Sequence, residues 1–170
     1  GDLICDAAKI GINATGIDFA NDMIKHAEKN AVERKLLNAN FECCSIFDMD
    51  LSDRKFDVIS ANGFIEYISY DELHKFFDIV YEALSPNGSF VLGSRNRLFN
   101  LISLNKFTTQ ESIKPDYGAL MEEAVFFASG EKIEEISKLK SIALQDSDTQ
   151  HMKTGIDVKT RFQFTPHQLL

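Results

Sequence analysis

Asp18 closes a short apolar run in the stretch NATGIDFANDMIKHA, residues 13–27, and helical spacing resumes almost at once behind it. A carboxylate at the C-terminal end of the second strand of a doubly wound sheet can accept hydrogen bonds from both hydroxyls of a nucleoside ribose, with the following helix packed beneath it. Further on, SRNRLFNLISLNKF gathers Arg95, Arg97 and Lys106 in an otherwise acidic chain. Arg presents a planar fork suited to carboxylate or phosphate, so one reading is recognition of an anionic small molecule; the other is solvation, or pairing with Glu122 and Glu123. Asp48, Asp50 and Asp53 share a loop with no His beside them, and are read as solvated acids with no metal bound. His26, His74, His151 and His167 are scattered. His151, in a polar loop, is a candidate general base, but no catalytic residue is legible, because triads are defined by geometry and not by spacing.

Such side chains need a scaffold, and the chain alternates helix and strand. Residues 2–9 have helical spacing with Gly11 where a C-cap falls, and residues 13–17 read as a strand. Asn21 or Asp22 is expected to cap the next helix, whose apolar stripe is Met23, Ile24, Ala27, Ala31 and Leu36. Residues 41–44 are a second strand, with Cys43 and Cys44 pointing to opposite faces. FDVISA, residues 56–61, is apolar enough for a central parallel strand buried on both faces. Ser69 and Glu72 form an S-x-x-E capping box ahead of Leu73, Phe76, Phe77, Val80 and Leu84, and Ser85-Pro86-Asn87-Gly88 reads as a turn into a strand at 89–94. Residues 98–139 look mainly helical, 146–153 a polar loop, 159–164 extended, and Thr165-Pro166 opens another helix. A long insertion on the ligand side of a parallel sheet is expected to be a lid or substrate cover.

A chain of 170 residues, 44% of them apolar, can bury one substantial core. A net charge of −8 and a pI near 5.0 argue against nucleic acid as a partner, since phosphate binding calls for a basic face. No apolar run approaches the roughly 18–20 residues of a membrane span, and no signal-like start is visible, so the expectation is a soluble, cytoplasmic protein with no membrane partner. Cys5, Cys43 and Cys44 form neither a disulfide framework nor a CxxC site and are read as reduced structural residues.

The order of these pieces resembles the class I S-adenosylmethionine-dependent methyltransferases. GDLICDAAKIGINATGIDFANDMIKHA looks like that family's first helix, second strand, acid and next helix; NFECCSI resembles the third strand and adenine-side turn; FDVISANGFIEYI the fourth strand and its loop; and ALSPNGSFVL the turn into the fifth strand. The resemblance covers about residues 1–94. It implies an α/β, doubly wound, mostly parallel Rossmann-like sheet, with residues 1–96 as the cofactor-binding core, 97–160 as a helical lid insertion after the fifth strand, and 161–170 as the start of the return to the core. It also implies further strands before Gly1 and beyond Leu170.

For the site, the resemblance implies S-adenosylmethionine as cofactor. Gly1 would be the last glycine of the first loop, Asp18 would hold the ribose, Phe19 and Met23 would flank the adenine, Ser45 and Ile46 would form its turn, and Asn62 and Gly63 would lie near the methionine part. Ser45 stands where the family often has an acid, and Ala20 where a capping serine is usual. Tyr67, Arg95 and Arg97 are the candidates for a small-molecule acceptor. Two rival readings stay open: a nicotinamide-dependent Rossmann oxidoreductase, which also uses an acid after its second strand, and a non-catalytic methyltransferase-like scaffold domain.

Overall fold

The computed structural model describes residues 1–144 and 162–170. The expected polar loop at 146–153, His151 and the first half of the expected extended segment at 159–164 therefore lie outside the described residues. Two compact units are formed, one from Gly1–Asp57 with His74–Gly88, the other from Val58–Leu73 with Ser89–Leu170.

In the first unit, helix α1 (Asp2–Lys9) leads to strand β1 (Ala14–Asp18), helix α2 (Asn21–Glu33) and strand β2 (Ala39–Cys43). The strands pair in parallel, from Ala14 opposite Ala39 to Asp18 opposite Cys43, the pairing that a helical crossover permits. α1 ends as its sequence predicts, with Gly11 at φ 91° and its N–H donating to Ala8 O, and Asn38 Nδ2 donates both to Ala8 O and to Ile12 O just beyond the helix. Cys5 and Ala8 of α1 and Ile24, Ala27 and Ala31 of α2 are buried. Met23, expected in that stripe, is out in solvent.

The cap of α2 differs from expectation. The N-cap is Ala20, neither Asn21 nor Asp22, and its own N–H is taken by Asp18 Oδ1 at 2.8 Å. A carboxylate two residues upstream thus organises the entry to the helix, as Asx turns do.

Strand β3 (Phe56–Asn62) pairs with strand β4 (Leu84–Gly93), and helix α3 (Tyr70–Ala83) lies between them in sequence. The capping box is present: Glu72 Oε2 accepts from Ser69 N at 2.8 Å, and Ser69 Oγ accepts from Glu72 N at 3.3 Å. Two expectations are corrected here. β4 starts at Leu84, so the Ser-Pro-Asn-Gly segment belongs to it, with Asn87 in the left-handed region at φ 70°; Ser85 Oγ ties this start to Phe56 O and Asp57. β3 is also not buried on both faces, since Val58 is exposed; β3 has one ladder neighbour among the described residues.

After β4 the second unit continues with helices α4 (Phe99–Ile102), α5 (Lys106–Ser112) and α6 (Tyr117–Ser129), a 3₁₀ turn at Ile133–Lys138, and helix α7 (Pro166–Leu169). Asn105 caps α5 by accepting from Phe107 N, and Gly130 at φ 72° closes α6. The C-terminal stretch returns beside the exit of β4, where Asn96 bridges Phe164 in parallel and Arg97 N donates to Phe164 O. Phe162 and Phe164 pack against Tyr70 with ring centroids 4.6 and 6.1 Å apart, which fastens this return to the start of α3.

Candidate functional site

In the first unit the register of β1 and β2 ends level, Asp18 opposite Cys43, so the two chains leave the sheet side by side. Cys44 N donates to Asp18 O, and the Cys43 thiol approaches Phe19 O at 3.7 Å, which holds the two exits together. This brings Asp18, Phe19 and Met23 to the same sheet end as Ser45 and Ile46. The Asp18 carboxylate is half-buried and spends Oδ1 on Ala20 N; Oδ2 has no hydrogen-bond partner among the described residues. Beside it, Phe19 is 80% and Met23 57% exposed, so neither is used by the core. An acceptor oxygen next to an uncovered ring and thioether, at the C-terminal end of parallel strands, fits a nucleoside: hydroxyls for the acid, a flat apolar base for the side chains.

Ser45 caps the 3₁₀ turn Ile46–Asp48 by accepting from Phe47 N at 3.3 Å, so its hydroxyl hydrogen remains available to an acceptor. Burial, then the charge of Glu42, pushes the neighbouring Cys44 thiol up, which makes it a poor nucleophile. In the acidic loop, Asp50 Oδ1 accepts from both the hydroxyl and the N–H of Ser52, and those bonds hold its carboxyl below the usual range. Gly1 lies so close to α2 that a Cβ there would come within 2.5 Å of the Ala27 Cβ, so its place demands glycine for close helix contact.

The second unit holds the remaining candidates. Gly63 follows β3 at φ 68°, a backbone that side chains rarely adopt, and its N–H donates to Gly93 O at 2.7 Å. Asn62 lies across Gly93, where an added Cβ would meet Asn62 Oδ1 at 2.3 Å. Tyr67 is exposed at the end of a 3₁₀ turn, Ile65–Tyr67, and Glu66 beside it is buried, with Oε2 3.4 Å from Arg95 Nε. Arg95 is half-exposed and directed by that buried acid.

Arg97 departs from the role expected of it. Its side chain is 1% exposed: Nε donates to both Glu111 oxygens at 3.1 and 3.2 Å, and Nη2 to Glu111 Oε2 at 2.8 Å and Asp116 Oδ2 at 2.9 Å. Two carboxylates already neutralise it through Nε and Nη2, while Nη1 is buried with no hydrogen-bond partner among the described residues, so the guanidinium lies inside the fold. The partners are also not Glu122 and Glu123, the lid acids considered from sequence. Burial alone disfavours the charge on Arg97, but hydrogen bonds and charge from Glu111, then Asp116, outweigh it and raise its pKa. Lys106 does not join the arginines; its ammonium sits over the Phe107 ring at 5.1 Å. Glu111 and Asn100, which sequence reading passed over, complete the buried network. Asn100 Nδ2 donates to Glu111 Oε1 at 2.9 Å and to Gln163 Oε1 at 2.7 Å. Glu111 lies in the polar run KFTTQES, on a different helix from Asn100, so no local signal marks it as buried.

Residues 1–158 match the family described as Methyltransferase domain. Among relatives, an uncharacterized protein of Rickettsia prowazekii is 30% identical over 73 residues, 43% of this chain and 29% of the relative. The ubiquinone biosynthesis O-methyltransferase of Coxiella burnetii is 28% identical over 100 residues, 58% of this chain and 42% of that protein. Among solved structures, an S-adenosylmethionine-dependent methyltransferase from Clostridium acetobutylicum superposes with a TM-score of 0.54 at 24% identity, over 62% of this chain and 43% of that one. PKMT2 from Rickettsia typhi in complex with AdoHcy gives a TM-score of 0.51 at 20% identity, over 79% and 31%. The chain thus spans less than half the length of each of these relatives, and the structural likeness is one of fold, an α/β methyltransferase-like architecture.

Proposed function

The chain belongs to the methyltransferase domain family, and from that membership we propose that the protein binds S-adenosylmethionine and transfers its methyl group to a small molecule. The observation that carries the reading is the free Oδ2 of Asp18 beside the uncovered Phe19 and Met23 at the level ends of β1 and β2. Asp18 accepts from the ribose hydroxyls, Phe19 and Met23 flank the adenine, and Ser45 with Ile46 meets its edge. Gly1 lets α1 start tight against α2. For Asn62 and Gly63 a place at the methionine part follows from the resemblance, and the positive φ of Gly63 supports it by letting backbone approach a ligand.

Bound S-adenosylmethionine supplies a methyl group that its sulfonium already makes electrophilic. What the protein adds is alignment of the acceptor and exclusion of water. We assign the insertion 97–160, whose described part carries α4, α5 and α6, to covering the acceptor, and Tyr67 and Arg95 to touching it. Among the described residues Arg95 meets an acid through Nε, which leaves its Nη groups to an anionic substituent, whereas Nη2 of Arg97 is held by two carboxylates. The likeness to the O-methyltransferase of Coxiella burnetii supports oxygen as the atom that accepts the methyl.

Calorimetric titration of the full-length protein tests this. Heat with S-adenosylmethionine and with its demethylated product is expected. Heat with a nicotinamide dinucleotide alone would make it an oxidoreductase, and cofactor binding without turnover on any acceptor would leave a scaffold.

A further inference from the structure

The two short helices that follow β4, α4 and α5, each bury a polar residue and no apolar one, whereas α6 also buries Leu120 and Phe126. α4 buries Asn100, α5 buries Glu111 and α6 buries Glu123, while Phe99 (64% exposed), Ile102 (70%) and Leu104 (86%) stand in solvent. Phe99 and Ile102 are three residues apart and so share one face of α4. Leu104 follows at φ 50°, on the bend into α5, whose first residue, Lys106, is exposed. A segment normally turns its apolar side inward, and contiguous apolar surface left outside marks a contact with something else.

Charge says what that contact is. In a chain with 26 acids and a net charge of −8, residues 98–115 contain one acid, Glu111, and it is buried against Arg97. The accessible charge at the α4–α5 bend is therefore cationic, from the exposed Lys106 beside Leu104; Lys114 further on is paired with Glu111, 3.2 Å from its Oε2. An aromatic and aliphatic tip that carries an exposed lysine and no accessible acid suits the boundary of an anionic bilayer, where the apolar groups enter and the ammonium group meets lipid phosphate. We propose that the α4–α5 tip, Phe99, Ile102, Leu104 and Lys106, is a peripheral contact with an anionic lipid surface. Among the described residues no helix is long and apolar enough to cross a membrane, so the association is superficial and reversible. It is independent of the methyl-transfer reading, because it needs no cofactor.

The test is flotation of the full-length protein with vesicles of phosphatidylcholine alone and of phosphatidylcholine mixed with phosphatidylglycerol, without S-adenosylmethionine. The protein is expected to float with the mixed vesicles, at least about tenfold less in the Ile102→Glu/Leu104→Glu double variant, and severalfold less in Lys106→Glu or at high salt. Both leucine and isoleucine positions are solvent-exposed, and circular dichroism of the variants checks that the fold survives. No flotation of the wild type, or flotation unchanged in the double variant, overturns the proposal. So does a wild type that ignores vesicles but dimerises in light scattering and becomes monomeric in the double variant; the occupant is then a second copy of the chain.

Discussion

Arg97 holds Glu111 through two of its nitrogens, Nε and Nη2, with both side chains 1–2% exposed and Nη2 only 2.8 Å from Oε2. Asp116, Asn100 and Lys114 surround the pair, and Asn100 links it to Gln163 on the returning C-terminal stretch. The second unit is thereby joined at a polar centre, whereas the first is joined by apolar helix faces on a two-stranded sheet.

Arg97→Ala leaves the Glu111 carboxylate buried without its main partner, and is expected to cost about 3–5 kcal/mol of stability. Arg97→Met combined with Glu111→Leu removes both charges and should recover most of that loss, since a buried pair contributes little beyond what apolar packing supplies. Urea unfolding of these variants checks it, and Lys29→Ala, which breaks an exposed pair with Glu33, should stay within about 1 kcal/mol of wild type.

Stability should also depend on pH through Glu111. Burial alone raises its pKa, but hydrogen bonds from Arg97 and Asn100 and the charges of Arg97 and Lys114 prevail and hold it below its ordinary 4.5. A carboxyl more acidic in the folded state stabilises the fold above its unfolded value, and that contribution is lost as pH falls through the folded one. The difference in urea midpoint between wild type and Glu111→Gln should be constant near neutrality and shrink as pH drops below 4.5. A gap that stays constant down to about pH 3 would contradict the assignment.

Asp18 serves both the α2 entry and the proposed ribose contact, and two substitutions separate these jobs. Asp18→Asn keeps an acceptor for Ala20 N, so its melting temperature should stay near wild type while S-adenosylmethionine binding weakens. Asp18→Ala should lose roughly 1.5–3 kcal/mol of binding, the scale of hydrogen bonds to a charged group, and some stability as well. Titration calorimetry and thermal melts of the full-length protein read the two effects apart.

At the start of α3, Ser69→Ala removes the hydroxyl that accepts from Glu72 N. The expected cost is about 0.5–2 kcal/mol in chemical denaturation, and Ser69→Thr or Ser69→Asp should restore most of it.

Much of this protein could be read from the amino acids alone, for a physical reason. The span of α1, the Ser69/Glu72 box, Gly11 beyond the first helix and the strand that stops on Asp18 all express preferences acting over a few residues, through backbone sterics, caps and hydrophobic period. Other features rest on contacts far apart in the chain. Arg97 looked like an anion receptor because its sequence neighbours are cationic, yet its partners lie 14 and 19 residues on, and Gln163 is 63 residues from the Asn100 it joins. No local rule reports which carboxylate reaches a guanidinium, and burial, which decides whether that charge faces substrate or fold, exists only once the chain has packed. Likewise Ala20 became the cap of α2 because Asp18 turned back onto it. Met23 and Phe19 were left uncovered by the core, and residues 98–115 turned their single acid inward and their apolar side out. The sequence determined which elements form and which carboxylate ends the strand; tertiary packing decided which side chains remained to meet a ligand.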